Sequence, residues 1–142
     1  MKTWIAVVNR TEARLFETHT LDGKDMKLVT KLENPRGRLR SRDINADKPG
    51  ISTSSRVSYP TGYTNNVDPV EHVAQVFAKS ISEFLEKGRT DHLFDDLVLV
   101  GEPHFLGSIK GTLSKQTFNL VTRTLSKDLV NIPDHRMHEY LF

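Results

Sequence analysis

The stretch Phe94-Asp-Asp-Leu-Val-Leu-Val-Gly-Glu-Pro-His-Phe-Leu-Gly107 decides the fold class. Its centre, Leu97 to Val100, is apolar at every position. A strand that hides both faces reads this way, whereas a half-exposed strand alternates. The stretch therefore predicts a strand covered on both sides, lying centrally in a parallel arrangement. Downstream, Pro103 restarts the chain as a helix through Phe105, Leu106, Ile109 and Leu113, and strand-like alternation returns from Phe118 to Leu125. This is a β-α-β unit.

Upstream, Asp68-Pro69-Val70-Glu71 carries the signals of a helix start. Asp68 can cap free N–H groups, Pro69 loses nothing at the first helical position, and Glu71 completes a capping-box spacing. Val70, Val73, Phe77, Ile81 and Phe84 recur at three- and four-residue intervals, so one face packs on a sheet. Gly88 suits a left-handed stop and Lys87 and Arg89 suit the negative end of the dipole, which places the helix at about Pro69 to Lys87. The chain opens differently. Thr3 to Val8, Ala13 to Thr18 and Lys24 to Leu32 read as strands, joined by Asn9 to Glu12 and by His19 to Gly23 with its Asp-Gly pair. Connections this short favour antiparallel hairpins, hence a β-meander. A short helix from about Pro133 to Tyr140 closes the chain. The expected fold is α/β: one domain over residues 1–142, a mixed sheet with an antiparallel meander followed by β-α-β, and helices packed on it.

At 142 residues one core suffices, and folding at this length buries roughly two-thirds of the surface of the unfolded chain. With 37% hydrophobic and 27% charged residues, the composition is that of a folded globular protein and excludes disordered or collagenous classes. The absence of cysteine excludes thiol nucleophiles, thiolate zinc sites and disulfides. Asn9 and Arg10 interrupt the first apolar run before it reaches the length of a signal core, and no run approaches the roughly 20 apolar residues that span a bilayer. A cytoplasmic location is the expectation.

Net charge is only +2, so the position of the charge matters more than its sum. Arg36, Arg38, Arg40, Arg42, Lys48 and Arg56 fall within a long irregular loop, about residues 35–68, opposed up to Arg56 only by Asp43 and Asp47. Pro35, Gly37, Pro49, Gly50, Pro60 and Gly62 break every periodicity there. Structureless loops beyond about 15 residues are uncommon in compact domains and are usually functional or disordered. Alternate arginines on an extended segment would set four guanidinium groups on one side, suited to bidentate contact with phosphates. Tyr59 and Tyr63 in the same loop could stack on bases. The bland alternative is a solvated loop held by its own salt bridges, with the tyrosines pinning it to the domain. Gly50 to Arg56 offers hydroxyls beside an arginine, a weak anion motif, and neither a Walker lysine nor a GxGxxG occurs.

Glu102, His104, Lys127 and Asp128 follow the expected strands at their C-terminal ends, the edge where open α/β sheets place ligands. His104 with Asp128 or Glu102 could form an acid–base site, although such edge residues more often act as caps and surface polar groups. His72 reads as a flank residue of the long helix. His135 and His138 lie three apart but lack a third ligand, so no metal and no cofactor is expected.

The run Phe94 to Gly107, together with Arg14-Leu15-Phe16, Gly37-Arg38-Leu39, Asp43, Asp47-Lys48-Pro49-Gly50, Asp68-Pro69 and Lys127-Asp128-Leu129, resembles the bacterial host-attachment protein family over nearly the whole chain. The resemblance implies a link to attachment of bacteria to host cells and no known reaction. The layout also looks like the central domain of archaeal and eukaryotic peptide-chain release factors, which implies an RNase H-like architecture. In those relatives the corresponding loop reaches the ribosomal catalytic centre and hydrolyses peptidyl-tRNA with a Gly-Gly-Gln. This chain has no Gly-Gly, and its glutamines are Gln75 and Gln116, so that device is unsupported. The leading expectation is a binding module that contacts RNA, the ribosome or another polyanion through the six cations, any role in attachment being indirect. Two alternatives stand beside it: a small hydrolase on a phosphorylated ligand with His104 as base, and a protein-interaction module whose loop orders on a partner.

Overall fold

The computed structural model describes residues 2–34 and 69–142. The segment that carries Arg36, Arg38, Arg40, Arg42, Lys48, Arg56, Tyr59 and Tyr63 lies outside the described residues, as does Asp68.

Three strands open the chain, β1 (Thr3–Val8), β2 (Glu12–Thr18) and β3 (Lys27–Glu33), both successive pairs antiparallel. The long helix α1 (Pro69–Thr90) follows, then β4 (Asp96–Val100), α2 (Pro103–Thr112), the short helix α3 (Lys115–Phe118), β5 (Val121–Leu125), a 3₁₀ turn (Asp134–Arg136) and α4 (Met137–Leu141). The five strands form one mixed sheet in the order β3-β2-β1-β4-β5, with β1 parallel to β4 and β4 parallel to β5. The architecture is thus a mixed α/β sheet in which a meander precedes β-α-β. The middle position belongs to β1, with β4 beside it as an interior strand between β1 and β5. Both have partners on two edges and buried side chains on two faces, which is why both read as unbroken apolar runs.

The two faces of the sheet are covered by different means. Trp4, Ala6, Val8, Leu15, Leu97 and Leu99 face α1 and α2, which contribute Phe77, Ile81, Leu85, Phe105 and Ile109. Ile5, Val7, Phe16, Val98 and Val100 face the chain's last turns, through Leu129, Met137 and Leu141. Arg14 also lies buried, on β2, where its guanidinium donates to the carbonyls of Leu129, Val130 and Ile132 (2.7 Å) and to Asp134 Oδ1 at 2.6 Å. A buried cation therefore fixes an irregular segment by supplying donors to its backbone carbonyls, of which Leu129 O also accepts from Ile132 N–H at 3.0 Å.

Local chemistry moves two boundaries and one packing stripe from their expected places. α1 runs to Thr90, and the left-handed residue is His92 (φ 59°), whose N–H bonds Arg89 O while Leu93 N–H bonds Gly88 O, a Schellman closure. Gly88 serves packing instead, because a Cβ there would lie 2.8 Å from the Trp4 ring. The buried stripe of α1 centres on Phe77, Ile81 and Leu85, with Phe84 only partly buried at its flank. Finally, Phe118 ends α3 rather than beginning a strand, since the Ser114 hydroxyl accepts from Thr117 N–H and starts a helical turn there.

Candidate functional site

The C-terminal ends of β1, β4 and β5 point the same way, and a cleft of about 380 Å³ opens there. Each wall comes from the residues that follow a strand or begin a helix. Asn9, Arg10 and Thr11 form the turn after β1, Glu102 and His104 follow β4, Asp128 follows β5, and Val70, Glu71 and Ala74 come from the first turns of α1. Gly101 brings the ends of β1 and β4 together, because a Cβ there would meet Val8 O at 2.8 Å.

The turn after β1 is held from within. The Asn9 carboxamide oxygen accepts from Thr11 N–H (2.8 Å), the Thr11 hydroxyl (2.8 Å) and Glu12 N–H (2.9 Å), an arrangement typical of Asn at turns. Arg10 stands exposed at its tip, and its carbonyl accepts from Asn34 Nδ2 at 3.0 Å while Asn34 N–H donates to Thr11 O at 2.9 Å. Asn34 and Pro69, which bound segment 35–68, thus both sit beside the cleft.

On the opposite wall, Glu102 caps α2, accepting from His104 N–H and Phe105 N–H at 2.9 Å each. Those two donors hold its carboxyl below the usual range, the His104 bond first. His104, the second residue of α2, extends Nε2 to Glu71 Oε2 at 2.9 Å. The hydrogen bond to Glu71, its charge and the charge of Glu102 push the His104 imidazole above the ordinary histidine value. The partner of His104 is therefore Glu71, not Asp128 or Glu102. Asp128 shares the cleft, whereas Lys127 does not line it. No ion pair engages the Arg10 or Asp128 side chain among the described residues.

Sequence reasoning missed Glu71, which read as a capping residue, and Asn9 to Thr11, which read as a hairpin turn. The signal was the parallel pairing itself. Once β1 and β4 are parallel, the residues after both strands must share an edge. A second groove, about 420 Å³ between α1 and α2, collects His72 and Lys79 with Gly107 and Gly111 but no acidic side chain. Among the described residues no cluster of three or more His, Asp or Glu could hold a metal ion, and no helix is long and apolar enough to cross a membrane.

No curated protein matches the chain. Among solved structures, it is similar to an archaeal translation termination factor, at 10% identity and a TM-score of 0.48, over 98% of this chain and 37% of that one. A structure described as an archaeal protein matches at 10% identity and a TM-score of 0.46, over 98% of this chain and 36% of that one. The chain thus spans a little over a third of the length of each. A family model described as "protein required for attachment to host cells" matches residues 4–141, nearly the whole sequence, and the chain belongs to that family.

Proposed function

We propose that this host-attachment-family protein is a one-domain binding module for the phosphate backbone of RNA, with any part in attachment to host cells indirect. Arg36, Arg38, Arg40, Arg42, Lys48 and Arg56 supply the contacts, and Tyr59 and Tyr63 stack on bases. The observation that carries the reading is the charge count: six cations against two carboxylates between Pro35 and Arg56, in a chain whose net charge is only +2. The folded part supports it by placing Asn34 and Pro69, the residues at either end of the segment, beside one cleft that also exposes Arg10.

Backbone binding of this kind releases counterions, so affinity falls steeply with salt. Replacing Arg38 and Arg40 with alanine is expected to flatten the slope of log affinity against log salt by about two. Retention of an RNA homopolymer across a salt series measures this. If the parent chain shows no affinity at low salt, the reading is wrong.

The His104–Glu71 pair favours a second reading, a hydrolase acting on a phosphorylated ligand in the cleft. The Glu71 carboxylate raises the basicity of the His104 imidazole, the direction a carboxylate partner gives a histidine that takes up a proton, so the role of base is kept. Activity on a phosphorylated substrate that survives unchanged in His104→Ala would remove His104 from any such mechanism.

A further inference from the structure

The groove of about 420 Å³ between α1 and α2 shares no lining residue with the cleft at the strand ends. Its α1 wall is an outward stripe of His72, Gln75, Val76 and Lys79, all exposed and spaced i, i+3, i+4 and i+7 as on one helix face. The α2 wall is low: Gly107 and Gly111 stand about one turn apart, and nothing lies within 4 Å of where their Cβ atoms would be. Gly88 and Gly101 make room for Trp4 and Val8, whereas these two glycines make room for nothing among the described residues. Glycine inside a helix is destabilising relative to alanine, so packing within this chain does not account for Gly107. The polar groups of the groove differ in what they already bind. Gln75 Nε2 donates to Glu71 at 3.2 Å, the Ser108 hydroxyl to His104 O at 3.4 Å and the Thr112 hydroxyl to Ile109 O at 3.0 Å. His72 and Lys79 make no hydrogen bond or ion pair among the described residues, and no carboxylate lines the groove.

We propose that this groove docks an acidic amphipathic helix of a partner protein, with carboxylates on Lys79 and His72 and an apolar side chain on Val76. A helix fills a trough between two helices, and the missing Cβ atoms on α2 let its axis come close. His72 and Lys79 are seven residues apart. That is about 10 Å along α1, so carboxylates at the same spacing on the incoming helix reach both. The unpaired Lys79 ammonium and the absence of any lining carboxylate set the sign of the partner. Val76, 54% exposed between the two, separates a protein from a nucleic acid, because an apolar side chain gains nothing from a phosphate backbone. The surface consists of described residues alone and is independent of the phosphate-backbone reading.

The probe is a labelled helical peptide of about 18 residues, long enough to hold its helix, with two glutamates at that spacing and leucine between them on one face. Its counterpart carries lysines in place of the glutamates. Anisotropy compares the parent chain with Lys79→Glu and Gly111→Leu. Both positions are exposed and a side chain at Gly111 enters open space, so both variants keep the parent's circular dichroism and melting temperature or exceed it. The parent is expected to bind the glutamate peptide in preference to the lysine peptide, with amide shifts confined to residues around 72–79 and 107–112. Lys79→Glu is expected to lose roughly tenfold in affinity for the glutamate peptide and to bind the lysine peptide better than the parent does, a reversal that a structural role would not give. Gly111→Leu is expected to bind neither, because its side chain fills the groove. Equal affinity of the parent for both peptides, or no binding of either, overturns the proposal. So does a parent dimer that Gly111→Leu dissociates, which assigns the groove to a second copy of the chain. Loss of homopolymer binding in Lys79→Glu, without peptide binding by the parent, assigns the groove to nucleic acid and likewise overturns it.

Discussion

At the N-terminal ends of the parallel strands, polar groups answer one another, whereas at the C-terminal ends several face open space. Lys2 N–H bonds Asp95 at 2.8 Å and the Thr3 hydroxyl bonds Asp96 at 2.6 Å. Glu17 receives both Trp4 Nε1 and His19 Nε2, and Asp25 receives the Thr18 hydroxyl and His19 N–H. At the other end, Arg10 and Asp128 border a cleft without such partners among the described residues. Polar groups that are mutually satisfied have little to gain from a ligand, whereas unmatched groups around a concavity can gain contacts from one. The contrast also has an energetic side. The matched end is closed largely by apolar packing around Trp4, but the segment that follows Asp128 at the open end is fixed by one buried guanidinium.

The largest effect is expected from breaking that second arrangement. Arg14→Met keeps much of the volume but leaves the carbonyls of Val130 and Ile132 without their donor and Asp134 without its cation, while Leu129 O keeps the bond from Ile132 N–H. Removing one partner of a buried charged network costs about 3 kcal/mol, which urea denaturation would show. Hydrogen exchange should accelerate from Leu129 to Arg136 and stay slow in β1, since the strand's own ladder is untouched. A uniform loss of protection would mean that Arg14 supports the whole sheet rather than one end.

A smaller loss is expected at the matched end from Gly88→Ala. The new methyl meets the Trp4 ring at 2.8 Å and the Phe94 ring at 3.0 Å, both held in the core. Overpacking of that kind costs about 2 kcal/mol, and the better helix propensity of alanine returns about 1 kcal/mol, so the net loss is about 1 kcal/mol. Trp4, the single tryptophan, reports the site directly. Its emission should shift while the His104–Glu71 contact at the other end of the strands is unaffected.

These positions show what the amino-acid order made legible. The unbroken run Leu97 to Val100 announced an interior parallel strand, and the short links after Val8 and Thr18 announced a meander, because both are consequences of local pattern. Gly88 misled because glycine serves two purposes, left-handed backbone and close packing, and only the position of the Trp4 ring separates them. Phe118 misled for a related reason: alternation of side chains in sequence is blind to the Ser114 cap that turns the chain helical. Of the site, His104, Glu102 and Asp128 were visible as residues following strands. Glu71 was not, because its meeting with His104 spans 33 positions and depends on how α1 and α2 cross.

The smallest effects separate the two ends by pH. At the matched end, the Thr18 hydroxyl, with further bonds from His19 N–H and Thr20, holds the Asp25 carboxyl at about 2. A depressed carboxyl contributes stability that is complete above its unfolded value and is lost as pH falls through the folded one, so this end speaks in the acid limb. At the open end, the raised imidazole of His104 works in the opposite sense. Its contribution is complete below the ordinary histidine value and fades as pH rises through the folded one. Melting temperature against pH should therefore have two separable limbs. Asp25→Asn is expected to shrink the acid limb, to which the lowered Glu102 carboxyl at the open end also contributes, and to leave the neutral limb alone, whereas Glu71→Gln is expected to shrink the neutral limb. If Glu71→Gln leaves the neutral limb intact, another histidine produces it, and the open end loses its claim to be the part of this fold that responds near physiological pH.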